Sequence, residues 1–263
     1  MKIIHNQLKI IENNGGVMLR VLLVGIVCII IFILSIGYLI IYALLFFNRD
    51  LQNGFLTAVT RSWGYLMITL AGSKVEVIGK EKIPKEGSFL FIGNHQSHLD
   101  IPTLLGFAPK LIGFVAKKEL MLIPFINIWI LRIGGVYIER KNLRKAIETV
   151  DTRIKNLKTS DTSLVIFPEG HRSKGKPMSH FKPGSIKLAV REGINIIPFS
   201  IEGTYRMLEG YDKIGINRSD IRLTFNDPII TSELSEEEKN NIVSTLEATV
   251  NSGLSDKYKL YID

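Results

Sequence analysis

Hydrophobic positions are spread unevenly along the chain. Residues 21–47 (VLLVGIVCIIIFILSIGYLIIYALLFF) run without a single charge. A bilayer span needs about 20 apolar residues, so this run predicts a membrane-embedded helix. A buried core helix seldom runs so long without a polar face. A cleaved signal peptide has a shorter apolar part and a small-x-small site after it, which is missing here. Residues 55–71 (FLTAVTRSWGYLMITLA) are apolar but interrupted by Arg61, and Trp63 and Tyr65 are residue types of the headgroup level. This second stretch predicts an interfacial helix that pairs with the first or rests beside it. Lys2, Lys9 and Arg20 precede the long run and Arg49 and Arg61 follow it, so charge bias leaves its orientation open. Residues 1–16 read as a short amphipathic lead or a tail.

From residue 74 onward the pattern changes. Short β-rich runs at 74–79, 88–93, 111–116, 136–139, 163–167, 195–201 and 221–226 alternate with helical periods. That alternation predicts an α/β sandwich. The clearest helix is 142–158, capped by Asn142, with Leu143, Ala146, Ile147, Val150, Ile154 and Leu157 on one face. Pro183 opens another that ends near Gly193, and Ser235 with Glu238 forms a capping box for a closing helix over 235–252. Pro198 reads as an edge or bulge position in its strand. The chain divides into an anchoring segment, residues 1–72, and an α/β domain, residues 73–263.

Composition sharpens this. The chain has 263 residues, is 46% hydrophobic and carries a formal charge of +8. The charge favours anionic partners such as phospholipid headgroups. Nucleic acid is disfavoured, because no dense Lys/Arg run with interleaved aromatics appears. The single cysteine, Cys28, excludes an internal disulfide framework and fits a reducing compartment.

Two strings carry candidate chemistry. Asn94-His95-Gln96-Ser97-His98-Leu99-Asp100 follows a predicted strand. On an unbroken helix His95 and Asp100 would face apart, so they meet only across a turn. There a carboxylate on one ring nitrogen would leave the other free to take a proton from a hydroxyl. The alternatives are a loop histidine beside a capping aspartate, or a metal site of His95, His98 and Asp100, for which the spacing is poor zinc geometry. Phe167-Pro168-Glu169-Gly170-His171-Arg172-Ser173 also follows a predicted strand and reads as a turn. Arg172 suits bidentate phosphate binding, and Glu169 would pair with it or accept a substrate hydroxyl. Lys117 and Arg140 each come where a predicted strand stops, on the same edge as His95 if those strands are parallel. The bland reading of this second group is a surface turn and solvated cations.

NHQSHLD, then AKKEL at 116–120, GGVYIER at 134–140, FPEGHRS at 167–173 and IIPFSIEGT at 196–204 resemble, in order and spacing, the sequence blocks of the glycerolipid acyltransferases. Among these they are most similar to the bacterial 1-acyl-sn-glycerol-3-phosphate acyltransferases. The resemblance covers roughly residues 72–230 and implies a mixed β-sheet flanked by helices, behind an N-terminal membrane-embedded helical anchor. It implies that His95 deprotonates the sn-2 hydroxyl of lysophosphatidic acid, with Asp100 orienting it, and that phosphatidic acid is formed. It assigns Asn94, Lys117, Arg140, Glu169, Gly170, His171 and Arg172 to substrate binding, with no metal and no cofactor. The acyl donor is acyl-CoA or acyl carrier protein, entering as a substrate. Membrane lipids are the remaining partner, and the expected location is the inner membrane, with the catalytic domain facing the cytoplasm. An oxyanion donor is expected from a backbone amide near the His95 turn. His171 stands where threonine is usual and Glu139 where aspartate is usual, which leaves another lysophospholipid or a lyso-amino-lipid as an alternative acceptor. A membrane-anchored binding protein without catalysis is the reading from another class.

Overall fold

The computed structural model describes residues 48–260 except 124–125, 140 and 211–214, with scattered residues between 18 and 44. Residues 1–16 and most of the expected span at 21–47 lie outside the described residues. Among the described residues, no helix is long and apolar enough to cross a membrane.

The centre is a seven-stranded sheet of β1 (Lys74–Ile78), β2 (Leu90–Gly93), β3 (Ile112–Lys117), β4 (Val136–Ile138), β5 (Ser163–Ile166), β6 (Ile196–Glu202) and β7 (Asp220–Phe225). Their order is β1-β7-β6-β2-β5-β3-β4. β6, β2, β5, β3 and β4 are mutually parallel; β7 runs antiparallel to β6, and β1 follows β7. The sheet is therefore mixed, and five strands end on one edge.

Helices cover both faces, so the central strands carry no polar side. All four residues of β2 are buried. Phe91 joins Val165, Phe199 and Phe225 on one face, while Leu90, Ile92, Leu164 and Ile166 join the other. The first face is covered by α1 (Arg49–Leu70) and α2 (Asp100–Phe107), the second by α4 (Leu143–Lys155), α5 (Pro183–Arg191) and α7 (Glu236–Ser252). Two shorter helices are α3 (Ile126–Arg132) and α6 (Tyr205–Leu208). The expected caps are present: Asn142 accepts from Lys145 N, and Ser235 and Glu238 form the reciprocal box of α7.

Three expectations need correction. Within α1, Gln52, Leu56, Thr60, Gly64 and Ile68 turn inward, while Tyr65 and Leu66 stay exposed on the outer side of the expected interfacial stretch 55–71. Leu56, Ile68 and Ala71 belong to the sheet's own core, so a division at residue 72 does not follow the packing. On α4, Ala146 and Ile154 are buried, whereas Leu143 and Ile147 are exposed. Pro198 lies in an interior strand. Its carbonyl accepts from Asn226 N at 2.9 Å, but its nitrogen has no proton to return, and the β6–β7 register ends one residue later at Phe199.

α1 and α2 meet backbone to backbone. A Cβ on Gly64 would strike Pro102 O and Gly106 N, and one on Gly106 would strike Gly64 and Tyr65. Gly106→Ala is expected to destabilise the protein by about 1–3 kcal/mol through overpacking. Gly184→Ala in α5, where a Cβ would meet nothing within 4 Å, is expected to be neutral or to stabilise by up to about 1 kcal/mol. Urea midpoints of the two variants against wild type check the contrast.

Candidate active site

The loops after three adjacent strands, β6, β2 and β5, meet at the edge where the parallel strands end. The loop after β2 brings the chain round so that Asp100 begins α2 and faces back onto His95. Asp100 Oδ2 lies 2.6 Å from His95 Nδ1 and also accepts from the amides of Gln96 (2.7 Å) and Ser97 (3.0 Å). Its other oxygen accepts from the Thr204 hydroxyl, supplied by the β6 loop. The carboxylate is fully buried, while the His95 side chain keeps 17% of its surface. With Asp100 on Nδ1, that nitrogen carries the proton and Nε2 is left as an acceptor, with no partner among the described residues. The imidazole stacks on Phe167, with ring centres 4.0 Å apart and planes 12° from parallel. Phe167 is held edge-on by Phe199.

Glu169 does not pair with Arg172. Its carboxylate is buried and accepts from the amides of His95 (2.7 Å) and Ser179 (2.9 Å). Burial pushes this carboxyl above its ordinary range, against the lowering effect of both amides. It ties the β5 turn to the β2 loop, with one amide on each oxygen. The same turn returns further bonds: Ser173 N donates to His95 O at 2.8 Å and Lys174 N to Gln96 O at 3.2 Å. Gly170 has φ of +76°, and the Lys182 ammonium lies where its side chain would be. His171 Nδ1 is 3.1 Å from Glu169 O and Nε2 is 3.2 Å from Ser179 Oγ.

Arg172 pairs instead with Glu209, at the end of α6: its Nη1 donates to Oε1 at 2.7 Å. Glu209 also accepts from Ser97 Oγ (2.6 Å) and His98 N (3.1 Å). Every amide from His95 to His98 thus ends on a carboxylate, and Leu99 N ends on Ser97 Oγ. This corrects the expectation of an oxyanion donor there, since those donors are already taken.

The remaining expected residues divide. Asn94 is buried, and its amide exchanges two 2.8 Å bonds with the Ile201 backbone, so it fastens β2 to β6 and turns no polar atom outward. Lys117 ends β3 on the same edge but pairs with Glu119 at 3.0 Å. Glu139 pairs with Lys118 at 3.1 Å. Arg140 lies outside the described residues. No group of three His, Cys, Asp or Glu side chains among the described residues is arranged to hold a metal ion. Sequence reasoning missed Phe167 as a stacking partner and Glu209 altogether. Phe167 opens a recognised string, but Glu209 stands more than a hundred residues from the loop it grips, in a segment without a motif.

Burial and the neighbouring Arg172 guanidinium push the His98 imidazole below its ordinary range. A histidine whose pKa is depressed on folding takes its proton first in the unfolded chain. Its contribution to stability is present above about pH 6.5 and is lost as pH falls. His98→Gln is therefore expected to lose less stability than wild type between pH 7.5 and 5.5, measured by urea unfolding.

Comparison with known proteins agrees with this architecture. A family model described as Acyltransferase matches residues 74–202. A 1-acyl-sn-glycerol-3-phosphate acyltransferase of Borreliella burgdorferi is 33% identical over 184 residues, covering 69% of this chain and 72% of that one. A protein of the same name from Haemophilus influenzae is 30% identical, covering 77% and 79%. The crystal structure of the 1-acyl-sn-glycerophosphate acyltransferase PlsC from Thermotoga maritima superposes with a TM-score of 0.77 at 29% identity, covering 90% of this chain and 94% of that one.

Proposed function

The chain belongs to the acyltransferase family, and from that premise we propose that it transfers an acyl group from a thioester donor to the sn-2 hydroxyl of 1-acyl-sn-glycerol 3-phosphate, giving phosphatidic acid. The observation that carries this reading is the 2.6 Å contact between His95 Nδ1 and Asp100, with Nε2 left open beside Arg172's loop. In this reaction His95 Nε2 takes the proton of the acceptor hydroxyl. The oxygen attacks the thioester carbonyl, a tetrahedral oxyanion forms, and its collapse expels the thiolate, which recovers the proton from the imidazolium. Buried Asp100 stabilises that imidazolium and fixes its tautomer. Arg172 binds the phosphate of the acceptor, with Lys117 and Arg140 as further cations. Glu169, Gly170, His171 and Asn94 shape the turn and loop on which these groups stand. The donor, acyl-CoA or acyl carrier protein, enters as a substrate.

We place the reaction at a membrane. Residues 21–47 supply the anchor in this reading. Exposed apolar side chains just beyond β3 support it: Met121, Leu122, Ile123, Ile126 and Leu131 are all exposed, Leu122 by 84%. An apolar groove lined by Met121, Leu131, Val136 and Tyr137, with Lys118, Glu139 and Lys145 among its polar residues, suits an acyl chain. The catalytic domain then faces the cytoplasm at the inner membrane, in keeping with a chain of one cysteine.

His95→Ala is expected to abolish release of free thiol when purified protein meets lysophosphatidic acid and an acyl thioester. Unchanged turnover would remove His95 as the base, and a wild type that acylates no lysolipid would favour a binding protein. Arg172→Ala is expected to weaken acceptor binding by about 1.5–3 kcal/mol, roughly 10- to 150-fold in the KM for lysophosphatidic acid.

A further inference from the structure

The Arg172–Glu209 pair reaches further than holding a loop. We propose that Glu209 makes the site selective for lysolipids that end in a phosphate monoester, by keeping Arg172 until an anion of higher charge displaces it. The inference rests on the acyl-transfer reading above and names the class of acceptor.

Glu209 is set in place independently of the arginine. Its two oxygens are held by Ser97 Oγ at 2.6 Å and His98 N at 3.1 Å, so the carboxylate stays when the guanidinium leaves. The pair is partly shielded from water, with side-chain exposures of 25% for Arg172 and 11% for Glu209. An incoming anion must therefore win the guanidinium from a carboxylate that is already oriented and already desolvated. Glu209 offers one negative charge. A phosphodiester headgroup also offers one, so the exchange gains nothing and leaves a half-buried carboxylate without its cation. A phosphate monoester carries about −1.5 to −2 at pH 7, with a second pKa near 6, and is the stronger partner. A neutral headgroup leaves Arg172 where it is. Glu209 touches neither hydroxyl nor thioester in this account; it is a positioning residue that acts through Arg172.

The test compares two acceptors with the same acyl chain, lysophosphatidic acid and lysophosphatidylglycerol, at saturating acyl donor. The readout is the ratio of their kcat/KM values. Both acceptors share His95, so changes in the base cancel in that ratio. Glu209→Gln keeps an oxygen for the His98 amide, turns an amide N–H toward the Ser97 hydroxyl oxygen, and removes the charge. It is expected to lower the monoester-to-diester ratio at least tenfold at pH 7.5. In wild type the ratio should fall between pH 7.5 and 5.5 as the monoester loses its second charge, and in Glu209→Gln this dependence should flatten. Ser97→Ala, which frees one arm of Glu209, should shift the ratio in the same direction and serves if Glu209→Gln does not fold. An unchanged ratio in the folded variant overturns the proposal while leaving acyl transfer intact. A wild type that acylates neither acceptor overturns the acyl-transfer reading with it.

Discussion

Four consecutive amides, those of His95, Gln96, Ser97 and His98, point at carboxylates drawn from three places in the chain. Buried carboxylates are costly unless donors surround them, and a tight loop has unused N–H groups that need acceptors. Each need meets the other here. Asp100 comes from the following helix, Glu169 from the turn after β5 and Glu209 from the end of α6, which follows β6. The loop cannot shift without leaving several charged acceptors unsatisfied at once, and the orientation of the imidazole follows from that.

The sheet explains why these three sources coincide. β6, β2 and β5 are neighbours and run the same way, so the segments leaving them emerge side by side. Asn94 reinforces the seam by bonding the Ile201 backbone just where β2 ends. Phe167, the first residue past β5, is thereby placed under His95 and limits the ring to one plane. Fold and site are one arrangement: parallel strand ends present short loops, and the polar groups of those loops satisfy one another.

Much of this was legible from residue order, and the unreadable parts share a cause. The pattern located all seven strands: central ones such as β2 and β5 read as apolar runs because both faces are buried, and β7 reads as alternation because one side is exposed. His95 and Asp100 were recognisable because their contact is local, closed by one turn. Glu169 stands out in its string, but its partners do not: spacing shows that a carboxylate and a guanidinium share a turn, not which way each side chain points. Glu209 was invisible because its bonds to Ser97 and Arg172 cross large sequence separations, and no periodicity records such contacts. In the second apolar stretch a side turned to lipid and a side turned to a core share one composition. Only the register of Leu56, Thr60, Gly64 and Ile68 tells them apart.

The meeting of α1 and α2 has a mechanical side. Gly64 and Gly106 leave no side chains between the two helices at that point, and side chains are the soft parts that take up small movements. Asp100 is the first residue of the helix on the far side of this contact. The junction therefore behaves as a stiff coupling rather than a cushion: displacement of α1 at the crossing is passed to the root of α2, and so to the acid behind the imidazole, with little damping.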